Sequence, residues 1–158
     1  MDELRSAVQS AARRPEIRPL VRDLYARLRS RIDERRPICV ASGRCCRFDE
    51  YGHRLYVTTI ELAAFVSELQ ATTPPPIITP QPGGCLFQIG KLCGVHAIRP
   101  FGCRVFFCDP TAEAWQTEQY EQFHAELKRL HDELAVPYFY VEWRQALTAL
   151  SLGDSPHV

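Results

Sequence analysis

Seven cysteines carry most of the chemistry open to this chain. Cys85, Cys93, Cys103 and Cys108 fall in one stretch, CLFQIGKLCGVHAIRPFGCRVFFC, and Cys39, Cys45 and Cys46 sit upstream in CVASGRCC. The helical-looking segments on either side contain none, a distribution that fits a ligand set better than scattered core thiols. Thiolates are soft anionic donors, and zinc and iron hold them deprotonated. A site whose ligands come from separate loops closes the fold as it binds. All seven are therefore candidate metal ligands. The spacings within the groups (x5, x7, x9 and x4) include neither the C-x2-C knuckle of zinc ribbons nor the runs of ferredoxins. They point to a metal without naming it. Cys45 and Cys46 are adjacent and are expected to point apart. They would serve two metals, or one metal and one structural contact.

Arg44, Arg47, Arg99 and Arg104 lie among these loops. A four-thiolate centre on a divalent ion is anionic, so guanidinium groups beside it would offset its charge and donate hydrogen bonds to sulfur. His96, three residues past Cys93, is a possible further ligand, ahead of His53, His124 and His131. Other chemistries lack their motifs. There is no Gly-rich phosphate loop and no H-E-x-x-H. C-x3-C-x2-C, expected of radical S-adenosylmethionine enzymes, is also missing. Cys93 with His96 has no supporting motif as a nucleophile pair. Glu118, Glu121 and Glu126 read as a solvated helix face.

The formal net charge is zero, so no overall basic field suggests nucleic acid or an anionic membrane. The N-terminus has no apolar signal region, and no stretch approaches a membrane span. The expected compartment is cytoplasmic, where thiols stay reduced. An odd number of cysteines also argues against full disulfide pairing. Charge is uneven. Residues 1–36 carry ten arginines against six acids, and residues 110–150 carry seven acids against three bases. These faces are expected to pair, with an arginine patch for an unknown protein partner as the alternative.

The elements that must position the cysteines follow from periodicity. Residues 2–13 and 16–35 read as helices, with Ile17, Leu20, Val21, Leu24, Leu28 and Ile32 at helical spacing in the second. Pro15 separates them, and Arg35-Arg36-Pro37 ends the second. Residues 39–47 form a loop in which Gly43 can supply a positive φ. Arg54–Val57 reads as a short strand. Thr58 with Glu61 matches a capping box opening a helix to about Gln70, with Leu62, Phe65, Val66 and Leu69 on one face. Residues 72–84 form a proline-rich connector. A small hairpin brings Cys85 and Cys93 onto facing arms, and Val95–Ile98 makes one turn. Asp109 and Pro110 open a helix to about Leu134, striped by Ala112, Trp115, Tyr120, Phe123, Leu127, Leu130 and Leu134. Pro137 is expected to start a last helix through Leu150. Trp115 and Trp143 read as core. The tail 153–158 is expected to be disordered. The prediction is an α+β, mainly α fold: one domain over 1–152, with a cysteine core at 39–108 between helical flanks at 1–36 and 110–150.

Three segments together resemble a known family. They are Cys39-x2-Ser42-Gly43-x-Cys45-Cys46-Arg47, then Cys85-Leu86-Phe87, then Cys93-x-Val95-His96-x2-Arg99-Pro100-x2-Cys103-Arg104. This order is similar to the YkgJ-like cysteine-cluster family of zinc- or iron-chelating domains. Its pattern is C-x2-C-x2-C-C, then C-x-[FL], then C-x-I-Y-x2-R-P-x2-C-R. The resemblance covers residues 39–108. It implies an iron–sulfur centre, other iron, or zinc held by the cysteines, and no settled reaction. Some relatives look like flagellin lysine N-methylases, but those are larger, and nothing here supports methyl transfer. Ser42 replaces the second cysteine, His96 replaces the usual tyrosine, and Cys108 extends the pattern. The expected function is a metal-binding redox or accessory module. A metal-dependent enzyme with an open metal position and a metal-free thiol redox protein are the alternatives.

Overall fold

A computed structural model describes residues 1–39 and 42–152. Val40, Ala41 and the tail 153–158, which includes His157 and the expected disorder, lie outside the described residues. The fold is α+β and mainly helical, with two antiparallel sheets of two strands each.

Helix α1 (Asp2–Ala12) buries Leu4, Ala7, Val8 and Ala11, and α2 (Ile17–Arg35) buries Ile17, Val21, Leu24 and Leu28. Both sets recur every three to four residues, so each helix has one dry face. A short helix, α3 (Phe48–Tyr51), precedes strand β1 (Tyr56–Thr58). Helix α4 (Thr59–Ala71) opens on the expected capping box, with Glu61 accepting from the Thr58 amide (2.8 Å) and hydroxyl (2.9 Å). Its first two turns are buried on every side from Thr59 to Phe65, whereas a single apolar face was expected. Helices α1 and α2 pack along it, and the molecule's other parts close over its start.

The hairpin pairs β2 (Gln88–Ile89) with β3 (Leu92–Cys93). Helix α5 (Phe101–Val105) carries Cys103, and α6 (Glu113–Glu133) follows a turn capped by Asp109. Trp143 is fully buried, whereas Trp115 is only half-buried. The C-terminal segment departs from expectation. Pro137 does not start a helix. Tyr140–Glu142 forms strand β4, which pairs antiparallel with β1, and α7 (Trp143–Ala149) begins only after it. The reason is tertiary: an isolated β1 would leave its backbone donors and acceptors unpaired, and the aromatic and β-branched run Tyr138–Val141 suits a pleated partner. Glu142 then caps α7, accepting from the Gln145 amide at 3.1 Å.

The two charged faces meet at Arg27 and Glu126 (2.6 Å), joining α2 to α6. Other arginines of α2 pair elsewhere, as Arg22 does with Glu68 and Arg29 with Asp33. No helix among the described residues is long and apolar enough to cross a membrane.

His131 is buried where α6 meets α4. Its Nδ1 donates to the Leu127 carbonyl (2.7 Å) and its Nε2 accepts from the Ile60 amide (3.2 Å). This requires a neutral ring, because a proton on Nε2 would face another donor. Burial holds its pKa below the ordinary histidine value. The folded state therefore takes up this proton less readily than the unfolded chain. The stabilisation is complete above the unfolded pKa of about 6.5 and is lost as pH falls from there towards the folded value. His131→Gln, whose amide can make both hydrogen bonds without titrating, should flatten the dependence by up to about 1.4 kcal/mol per pH unit in that window. Urea unfolding of the two proteins at a series of pH values below 7 measures it, and identical slopes would refute the assignment.

Candidate metal centre

Two loops, far apart in sequence, are bonded together at the cysteines. Gly43 (φ +73°) turns the chain into a 3-10 turn, Arg44–Cys46, that carries both adjacent cysteines. The Cys46 carbonyl accepts from the Cys85 amide at 2.8 Å, and the Asp49 amide donates to the Gly83 carbonyl at 2.9 Å. Gln88, buried in the hairpin, donates its Nε2 to the Gly43 carbonyl (3.1 Å), while its own carbonyl accepts from Gln81 (2.9 Å). A Cβ on Gly43 would stand 2.8 Å from that amide nitrogen and 3.1 Å from the Lys91 backbone, so glycine is required for approach as well as for turn geometry.

This register gathers four sulfurs. Cys46 and Cys85 sit in one buried cluster and Cys45 and Cys93 pack against it, so the Cys46 thiol has these three as sulfur neighbours. Of the adjacent pair, Cys46 is buried in the core and Cys45 is half-buried beside it. Trp143, on α7, donates its indole N–H to the Cys85 sulfur at 3.4 Å. Neither Gln88 nor Trp143 stands out as a site residue in the sequence. A lone glutamine in a hairpin carries no sequence signal, and Trp143 looked like an ordinary core residue.

The electrostatics follow from these contacts. The Cys46 thiol beside them lowers the pKa of Cys45 to about 6 and of Cys93 to about 7, with the Arg99 charge acting in the same direction. Cys85 is lowered by the same neighbour, and Cys46 is itself held protonated by the three sulfurs around it. Cys103 is half-buried, and loss of water around its sulfur pushes the thiol up. Arg99 is half-buried too, and the groups that favour its cation are Cys103, Cys93 and Cys45. Its N–H groups otherwise reach the carbonyl and Nδ1 of His96. That use of Nδ1 leaves only Nε2 of His96 as a potential donor to metal.

A cavity of about 220 Å³ lies over the sulfurs. Cys39, Cys45, Cys46, Cys93, Cys103 and Cys108 line it, with Arg44, Lys91, Arg99 and Arg104 supplying positive charge. Cys85 lies beneath, buried against Trp143. Cys39 and Cys108 are rim residues. The Ile38 amide donates to Asp109 (3.1 Å), which clips the two chain segments together, and Ser42 Oγ stands 3.7 Å from the Cys108 sulfur. Arg104 donates to the carbonyls of Arg99 and Ala97 and lies 4.0 Å over the Tyr25 ring. Arg47 does not join this group. It is absent from the cavity lining and reaches Glu50 at 3.5 Å. His53 donates to the Cys45 carbonyl (3.2 Å), and His124 and His131 are engaged elsewhere.

As they stand, no group of three or more His, Cys, Asp or Glu side chains among the described residues is arranged to hold a metal ion. Cys46 and Cys85 instead sit in one buried cluster with Cys45, Cys93 and Cys103 packed against it. Their chemistry nevertheless suits a thiophilic metal: soft donors from two loops, an N–H donor on one sulfur, and a half-buried cation beside the others. No protein-family model, curated protein or solved structure matches the chain.

Proposed function

We propose that this protein binds a metal through its cysteine cluster, either an iron–sulfur or other iron centre or zinc, and acts as a redox or accessory module. One observation carries the reading: Cys45, Cys46, Cys85 and Cys93, from two distant loops, lie together beside Arg99, a half-buried cation that thiolates at Cys103, Cys93 and Cys45 would favour. Burying a guanidinium without anions nearby is costly, so the arrangement favours thiolates. Cys45, Cys46, Cys85 and Cys93 would hold the metal. Trp143 would steady the Cys85 sulfur, and Arg99 would offset the negative charge. Iron would supply one-electron chemistry and zinc a structural link.

The resemblance to YkgJ-like domains supports the same reading. It lacks a cysteine at Ser42 and has an added one at Cys108, and these two side chains are neighbours. The open cavity supports the enzyme alternative as well, since Cys39, Cys103, Cys108 and His96 surround space in which a small molecule could approach the centre.

Anaerobic purification with metal analysis and a visible spectrum tests the proposal. A coloured protein with iron and sulfide bound in stoichiometric amounts is expected. A colourless protein with one zinc per chain would replace iron by zinc, and a well-folded protein that takes up neither metal would overturn metal binding altogether.

A further inference from the structure

Cys39 and Cys108 lie outside the buried sulfur cluster, on two chain segments that are tied together at the mouth of its cavity. Arg35 donates to the Thr111 carbonyl at 2.9 Å, and the Ile38 amide donates to the Asp109 carboxylate at 3.1 Å. Ser42 Oγ stands 3.7 Å from the Cys108 sulfur. From Arg35 to Ser42 the chain runs forward while its partners run back from Thr111 to Cys108, so the two segments are antiparallel. Cys39 stands between Ile38 and Ser42, whose partners are Asp109 and Cys108. That bracketing sets Cys39 against Cys108. One residue step along a chain is about 3.8 Å, and a disulfide joins Cα atoms up to about 7 Å apart. Neither cysteine lies in a helix or a strand, so their side chains can meet without breaking a helical turn or a sheet ladder.

We infer that Cys39 and Cys108 form a reversible disulfide across the mouth of the cysteine cavity, by exchange with an anionic small-molecule disulfide such as glutathione disulfide. The inference rests on the rim and does not require the cluster to hold a metal. Of the seven thiols only that of Cys39 is exposed, so it meets the reagent first. Arg44 and Lys91, also exposed, line the same cavity, and no Asp or Glu does, which favours an anionic reagent. The cavity, of about 220 Å³, is too small to admit glutathione disulfide, so size shields the inner thiols. The Cys39 thiolate attacks one sulfur of the reagent, its S–S bond breaks, and one glutathione leaves. The Cys108 thiolate then attacks the Cys39 sulfur of the mixed disulfide and expels the second glutathione. The two protons given up by the protein thiols end on the two glutathione thiols. The protein loses two electrons and the reagent gains them, so no further oxidant is needed.

The full chain, purified anaerobically, is equilibrated with glutathione and glutathione disulfide at a series of ratios. It is then unfolded, labelled with maleimide and weighed. The first oxidised species should carry two fewer labels than the seven of the reduced chain, with no glutathione attached. Peptide mapping without reduction should join the Cys39 peptide to the Cys108 peptide. Cys108→Ser should stop at the mixed disulfide and gain one glutathione on Cys39, and Cys39→Ser should form no bridge at the same ratios. Circular dichroism establishes that each variant is folded. In the bridged protein, iodoacetamide should label Cys45 and Cys93 at least about fivefold more slowly than in the reduced protein, because access limits thiol reactivity. Cys39→Ser, treated identically, should show no such slowing. A first bridge that maps to any other pair overturns the inference, as does a wild-type chain that keeps glutathione on Cys39 or forms no bridge at any ratio. Unchanged labelling of Cys45 and Cys93 in the bridged protein would overturn the closure of the cavity.

Discussion

Cys46→Ser is expected to lower metal affinity by at least about a hundredfold, whereas Cys39→Ser and Cys108→Ser should keep nearly the full metal content. The contrast comes from position. Cys46 is the buried sulfur with Cys45, Cys85 and Cys93 as its neighbours in one cluster. Its backbone carbonyl also accepts from the Cys85 amide, and serine preserves that bond while replacing a soft donor with a hard one. Cys39 is exposed, and Cys108 has Ser42 as its neighbour across the rim. Metal bound only by the folded state contributes directly to stability, so Cys46→Ser should also unfold at a lower temperature. Metal per chain, chelator competition and a thermal melt read the outcome. Full metal retention in Cys46→Ser would refute the central role of this sulfur, and equal loss in Cys39→Ser would refute the division between cluster and rim.

Glu61→Ala should cost about 3–5 kcal/mol of folding stability, because it leaves buried donors without an acceptor. One oxygen of this carboxylate serves the Thr58 amide and hydroxyl at the start of α4. The other accepts from the Phe101 amide at 3.0 Å, at the start of α5. Burial pushes its pKa up, and these donors work in the opposite direction. Glu61 therefore links α4 to α5, the helix that carries Cys103 and Arg104. Glu61→Gln keeps the shape but places an amide N–H against donors, and should cost about 1–3 kcal/mol. Urea denaturation measures both. A Glu61→Ala midpoint matching the wild type would show that the link carries no load.

Much of this was legible locally. The capping box at Thr58 and Glu61, the left-handed turn at Gly43 and the Asp109 cap follow from backbone preferences that act within four residues. Helical periodicity located α1, α2 and α6 for the same reason: a helix buries its own apolar stripe, whatever it packs against. The strand at Tyr140–Glu142 was not legible, because it is a strand only by virtue of β1 beside it. The second role of Glu61 depended likewise on where Phe101 arrives.

By itself, then, the sequence determined which reactive side chains are present and the elements that carry them: thiols and arginines grouped in loops between helices. Only the tertiary structure decided which sulfurs meet. Cys45, Cys46, Cys85 and Cys93 converge because the Cys46 carbonyl, Gly43 and Gln88 bond one loop to the other. Cys39 and Cys108 are left at the rim, and Arg47 turns to Glu50. Spacing along a chain constrains neighbours over a few residues, but contacts across forty are chosen by the packing that satisfies buried backbone groups.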